Sequence, residues 1–502
     1  MSRRGQYWAL VLLTGLAFVV RVHGLAFQSL WRDEIDSLRF ASQPFARLLA
    51  SLATSGHNGP LYYLFLRPWL DVSGQSEFSL RFFSVIMGVL AVPLVYRLGL
   101  HIVPRWPAVG LIASLLAATS PYLVWYSQEA RMYAAVVCIV LVSMRRFLVA
   151  VERGGWQRWL GYVMVTGTAF YVHLVTVLIV PAQIGFFLVL RGRRKQGAHK
   201  WFCSSLAVLC VPYLPLLAWQ LPLLLRPAAP GYALVPLSQM LASLMTSYGG
   251  GVLERSAVWT LAPLLSLLAA ATILALPDRQ IGPISAAAIW LLVPVLGFFL
   301  LTLLYPLFTA RYLIFVLPAL LLLMAMGILA VGRRSTWLAG LLLVALLATN
   351  VSALWLQART PVKADYRSAT QYVVSRMVPE DKVLFQIPYG RYSFEYYLGH
   401  SRISPAPKLT AAGYHVFLPL AAVGSPSTRW IDGLYTNGGM SPGEVDQQMA
   451  GLVGDCRVVW LVASEVAIWD ERGLVQGWLD SHATLTDRAE FVRVSVRRYL
   501  LP

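Results

Sequence analysis

The chain has 502 residues, 58% of them hydrophobic and only 13% charged, with 17 Trp, 23 Tyr and 21 Phe. A soluble domain carries roughly a quarter charged residues, so a soluble single-core enzyme and a disordered chain are both excluded. A multi-pass membrane protein remains. The formal charge of +18 comes from 41 Lys and Arg against 23 Asp and Glu. Arg3-Arg4, Arg145-Arg146, Arg191 to Lys195 and Arg333-Arg334 lie directly beside apolar runs. Basic loops on the cytoplasmic side of a membrane explain that pattern, and nucleic acid is not an expected partner. Four Cys are too few for a disulfide framework. No CxxC or His-rich metal signature is present.

A spanning helix needs about 20 mostly apolar residues. Candidate spans lie near 7–27, 80–100, 107–124, 132–150, 158–174, 176–190, 202–221, 257–276, 284–304, 312–331 and 337–356, about eleven by that length criterion. The first follows Arg3-Arg4 but lacks a small-x-small cleavage site, so it reads as an uncleaved anchor. With the N-terminus cytoplasmic, Arg97 and Arg105, Arg145 to Arg158, Arg191 to Lys195, Arg279 and Arg333-Arg334 all fall inside. Residues 28–79, 122–131, 222–256, 305–311 and everything after 357 then fall outside. The expected organisation is a membrane domain over 1–356, with 28–79 as its first outer loop, and an extracytoplasmic domain over 357–502 of a cell (plasma or inner) membrane protein. The tail has turn signals at Asn437-Gly438-Gly439 and Ser441-Pro442-Gly443. Its β-like runs Lys382–Ile387, Arg457–Ala463 and Phe491–Arg497 alternate with helix-period stretches Asp365–Met377, Gly443–Leu452 and Leu474–His482. That alternation predicts a compact α/β domain.

The first outer loop opens with Trp31-Arg32-Asp33-Glu34-Ile35-Asp36 at the end of the first span. Ser37–Ala53 then has the pattern of an interfacial helix. His57-Asn58-Gly59-Pro60 punctuates before Leu61–Leu66, an apolar stretch too short to span, which should lie in the interface or re-enter. A second polar cluster, Ser120–Tyr133, carries Glu129 and Arg131 among Trp125, Tyr122, Tyr126 and Tyr133. The aromatic residues suit an interfacial belt, whereas an ionisable residue near membrane depth is a functional candidate. The third is Phe308–Tyr312, where Arg311 is the only cation of its outer loop and suits an anionic lipid head or phosphate.

An acid poised as general base and a cation poised for phosphate describe transfer from a lipid-phosphate donor to a nucleophile. A glycoside hydrolase would need a second acid to protonate its leaving oxygen. Neither GxxxxGK[ST] nor GxGxxG follows a strand, which disfavours a nucleotide-sugar donor.

At these residues the sequence resembles the bacterial GT-C membrane glycosyltransferases of the protein O-mannosyltransferase and aminoarabinose transferase superfamily (glycosyltransferase family 39-like). The resemblance rests on Asp33-Glu34, His57–Tyr63, Ser76–Arg81, Ser120–Tyr133, Tyr171–His173, Arg311–Pro318, Asp365–Arg367 and Tyr396-Tyr397. His57-Asn58-Gly59-Pro60 departs from the His-Pro-Pro usual in relatives. The resemblance implies a GT-C fold, a polyprenyl-phosphate monosaccharide donor and inverting transfer on the outer face. It places Asp33 at the catalytic acid position, Glu34 at its neighbour and Glu129 at the second-loop acid. Arg311 matches a donor-phosphate contact, and Tyr312, Arg131, His57, Tyr62, Tyr126 and His173 are grouped with it as donor-site candidates. The acceptor would be a hydroxyl on a lipid, a glycan or a protein. No cofactor is required. Some members use a divalent metal, and Asp33, Glu34 and Glu129 could hold one, though no ligand spacing demands it. Two other classes compete: a lipid or glycan transporter, which would carry broken or ionisable segments near the bilayer midplane, and a lipid-binding scaffold in which the acids are dispensable.

Overall fold

The computed structural model describes residues 2–52, 59–225, 234–253, 281–378, 380–386, 390–399, 415–417, 441–454, 456–470 and 472–502. The chain forms two compact units. One comprises Met1–Leu25 and Phe40–Thr360; the other joins Ala26–Arg39 to Pro361–Pro502.

The first unit is helical. Every expected apolar segment is helical except 257–276, which lies outside the described residues. Among the described residues seven helices are long and apolar enough to cross a membrane, or eight if one bent pair is a single span. The segment expected at 176–190 begins as a short 3-10 turn, Leu174–Leu178, and continues as the helix Ile179–Val189. Its break from Trp156–Val172 falls at His173, whose backbone is extended (φ −162°). Buried polar side chains bind these helices together. The Tyr162 hydroxyl donates to Gln183 Oε1 (2.8 Å), Gln183 Nε2 donates to Ser143 Oγ (3.0 Å), and Ser143 shares a 2.7 Å bond with Thr166. Each such bond between membrane helices contributes about 0.6 kcal/mol.

The bent pair is Pro107–Thr119 and Pro121–Ser127, at 58°. Pro121 has no N–H to give Ala117, four residues earlier, so the first helix cannot continue. Ser120 instead caps the second helix, its side chain accepting from Leu123 N–H. The freed polar groups are met from other helices. Buried Arg21 donates to the carbonyls of Ala117 (3.1 Å) and Ala118 (3.0 Å). Asn350 Nδ2 reaches Thr119 Oγ1 (3.1 Å), and Gln357 Nε2 reaches the Pro121 carbonyl (3.3 Å).

The stretch Ser37–Ala53 is not one interfacial helix. A helix covers Arg32–Ala41, taking Asp33 and Glu34 into its first turn, and a second covers Phe45–Ala50 behind Pro44. The short apolar stretch after Pro60 extends to a 14-residue helix, Pro60–Ser73, burying Tyr62, Tyr63, Leu66 and Leu70.

Among the described residues the second unit carries a mixed five-stranded sheet in the order β2-β1-β3-β5-β4, with β1 Lys382–Phe385, β2 His415–Phe417, β3 Val458–Ser464, β4 Thr484–Phe491 and β5 Val494–Leu500. β1 pairs in parallel with β2 and β3; β5 pairs antiparallel with β3 and β4. β3 is buried along its whole length, as a central strand covered on both faces must be. Val459, Leu461 and Ala463 pack with Val445 and Met449 of the helix Pro442–Val453 and Val475 and Leu479 of Leu474–His482. On the alternate face, Trp460 donates to Asp381 (2.7 Å), and Ser464 accepts from Tyr366 of the helix Tyr366–Val374 (3.0 Å). Burial pushes the Tyr366 hydroxyl up, so it stays a donor.

Ser441 and Glu444 form a capping box at the start of Pro442–Val453. The expected strand Phe491–Arg497 is corrected: it straddles a two-residue turn at Val492-Arg493, where Arg493 takes φ +57° and the chain reverses from β4 into β5. The turn signal at Asn437–Gly439 lies outside the described residues.

Candidate active site

In the first unit three chain breaks meet around one aromatic nest. The turn after Ser127 brings buried Glu129 and part-exposed Arg131. The break after Val172 brings His173, and the 3-10 turn Ala310–Val316 brings Arg311 and Tyr312. Tyr133 ties them together. Its ring lies 5.9 Å from His173, 5.1 Å from Tyr126 and 5.7 Å from the Arg311 guanidinium. The Tyr312 ring sits 5.3 Å from that of His173. Tyr122 extends the nest, 4.8 Å from Tyr126 and 5.2 Å from Tyr248, whose hydroxyl holds the Leu313 carbonyl (2.7 Å).

His173 is fully buried, and its Nδ1 accepts from Val175 N–H (3.3 Å), which leaves the proton on Nε2. The charges of Arg131 and Arg311 both reach this imidazole. Arg311 therefore does not stand alone. Arg131 is held by Tyr63, whose hydroxyl accepts its Nη1 (3.1 Å), while its carbonyl accepts from Ser84 (3.2 Å), itself bonded to Tyr62 (3.2 Å). Gly59 lets this corner close. It adopts φ +83°, and a Cβ there would lie 2.7 Å from the Val172 carbonyl. His57, two residues earlier, lies outside the described residues.

The acidic pair Asp33-Glu34 belongs to the second unit. Both occupy the first turn of Arg32–Ala41, where the helix dipole favours negative charge. Glu34 is fully buried in a 2.9 Å ion pair with Lys363, while Asp33 is partly exposed. The approach to this helix is clasped by the tail. Gln28 Oε1 accepts from Val362 N–H (3.0 Å) and Lys363 N–H (3.2 Å). Leu30 N–H donates to the Tyr397 hydroxyl (2.6 Å), and Arg367 donates to the carbonyls of Ala26 (2.9 Å) and Gln28 (3.3 Å).

Among the described residues no three His, Cys, Asp or Glu side chains gather as ligands would, and the charge of Glu34 is met by Lys363.

Sequence reasoning passed over Arg21, Tyr63, Ser84 and Lys363. Arg21 alone gave a signal, as a cation inside the first apolar run.

Residues 57–219 match the family model for dolichyl-phosphate-mannose-protein mannosyltransferase. By sequence alone no curated protein gives a significant match. Among solved structures, ArnT from Cupriavidus metallidurans bound to undecaprenyl phosphate aligns at TM-score 0.59 and 14% identity, over 99% of this chain and 98% of that one. The same protein in its apo state gives 0.60 and 13%, with the same coverage. The Archaeoglobus fulgidus oligosaccharyltransferase in its apo form gives 0.58 and 11%, over 95% of this chain and 72% of that one. The solved structures show the fold over nearly the whole length, a multi-pass helical membrane protein of GT-C fold, and the family model covers residues 57–219 of it.

Proposed function

We propose that the protein transfers a monosaccharide from a polyprenyl-phosphate donor to an acceptor hydroxyl on the outer face of the membrane, with inversion, and with Asp33 as general base. The observation that carries this reading is the nest itself: the Arg311 guanidinium and the buried His173 imidazole both lie by Tyr133, and Arg131, held by the Tyr63 hydroxyl, sits on the turn just before it. Such a nest suits a phosphate with an apolar tail, since arginine forks bind phosphate oxygens with charge-assisted bonds. A protein of the same fold, ArnT, was solved bound to undecaprenyl phosphate.

The acceptor oxygen attacks the anomeric carbon from the face opposite the phosphate, Asp33 takes the hydroxyl proton, and the C–O bond to phosphate breaks. The departing polyprenyl phosphate keeps the bonding electrons, and Arg131 and Arg311 meet the charge that grows there. In this reading Tyr62, Tyr126, Tyr312, His57 and His173 serve the donor, and Glu129 serves catalysis. In this reading residues 1–356 carry the membrane domain, 357–502 the extracytoplasmic domain, and the N-terminus is cytoplasmic.

The test is turnover of a polyprenyl-phosphate sugar by the purified protein in detergent, with mass spectrometry of lipid-linked sugars and surface glycans in a deletion strain. Asp33→Asn should lose 10²–10⁴-fold in rate, the usual worth of a positioned base, with donor binding retained. A wild-type protein that binds the donor without turning it over would favour a scaffold. Near-normal rates for Asp33→Asn would move the base to Glu34 or Glu129.

A further inference from the structure

We propose that Lys363 is a positioning residue for this transfer, acting through Glu34 on Asp33. The inference rests on the reading of Asp33 as the base. Glu34 Oε2 and Lys363 Nζ are 2.9 Å apart, and both side chains are nearly or fully buried. Burying two charges carries a large desolvation cost, and an apolar pair of similar volume usually holds a fold as well. What an ion pair adds is direction. With Glu34 fixed on Lys363, Asp33, one residue earlier, is turned about 100° around the helix axis and is partly exposed. Glu34, its charge met by Lys363, is then an anchor and not a second base. The same strand of tail, Val362 and Lys363, also binds Gln28 through its backbone N–H groups, so the anchor is held at both ends.

The experiment compares purified full-length wild type, Asp33→Asn, Lys363→Met, Lys363→Arg and the double variant Glu34→Met/Lys363→Met. It uses one polyprenyl-phosphate monosaccharide and reads kcat, donor KM and melting temperature. A misplacement of about 1 Å costs on the order of 100-fold. Lys363→Met should therefore lose about that much in kcat with donor KM little changed, and Lys363→Arg should recover most of it. Lys363→Met also strands a buried carboxylate, so its fold is at risk. The double variant removes that risk: its melting temperature should return to the wild-type value while kcat stays low. Wild-type kcat in the double variant overturns the proposal, as does a Lys363→Met loss confined to KM. Wild-type turnover by Asp33→Asn refutes the base itself, independently of the Lys363 variants.

Discussion

Arg311→Ala separates a donor contact from a structural one by magnitude. The guanidinium lies 5.7 Å from the Tyr133 ring and 6.0 Å from that of Tyr312, on a residue that is partly exposed as a whole. Cation–π contacts at such sites contribute about 0.5–1 kcal/mol each, so the ligand-free protein should lose roughly 1–2 kcal/mol of stability. A charge-assisted bond to phosphate contributes about 1.5–3 kcal/mol net, which at about 1.4 kcal/mol per decade weakens donor binding roughly 10- to 150-fold. Turnover should fall too, because phosphate charge grows as the sugar departs. Arg311→Lys should recover part of each, a point charge replacing the fork. The assay is the thermal shift induced by a polyprenyl-phosphate sugar, read beside the melting temperature without it. An unchanged donor shift removes Arg311 from the donor site. A destabilisation that Glu129→Gln rescues would assign the guanidinium to an internal ion pair instead.

Arg21→Met should destabilise the protein by about 3 kcal/mol, since it leaves the Ala117 and Ala118 carbonyls buried and unmet, at about 1–3 kcal/mol each, offset in part by one fewer buried charge. Thermal unfolding in detergent reads this directly, and an unaltered melting temperature would show that the helix break does not depend on the capping guanidinium. A reporter active only outside the cytoplasm should be active when fused after residue 360 or 502 and silent after residue 195, following the loop charges. Activity at both positions would mean that the spans over 158–190 are miscounted.

Run length and composition made the membrane architecture legible, because both are local: an apolar stretch of 20 residues has few ways to exist outside a bilayer. Pro121 after Ser120 likewise encodes the break beside the candidate site, through a missing N–H and a capping hydroxyl. The aromatic and charged residues of that site were visible at the three chain breaks that carry them. The strand misread at Phe491–Arg497 shows where local pattern fails: apolar alternation runs on through a tight turn, and only the positive φ of Arg493 reverses the chain. Partners were beyond reach. Nothing in the sequence near Glu34 announces Lys363, 329 residues away, or sends Arg21 to the carbonyls of a helix nearly 100 residues on. A buried charge must find its counter-charge or acceptor wherever packing brings one, and packing is settled by the fold as a whole. Candidate residues could thus be named from their types and spacing. Which acid is paired with a buried lysine, and which stays partly exposed, depended on tertiary contact.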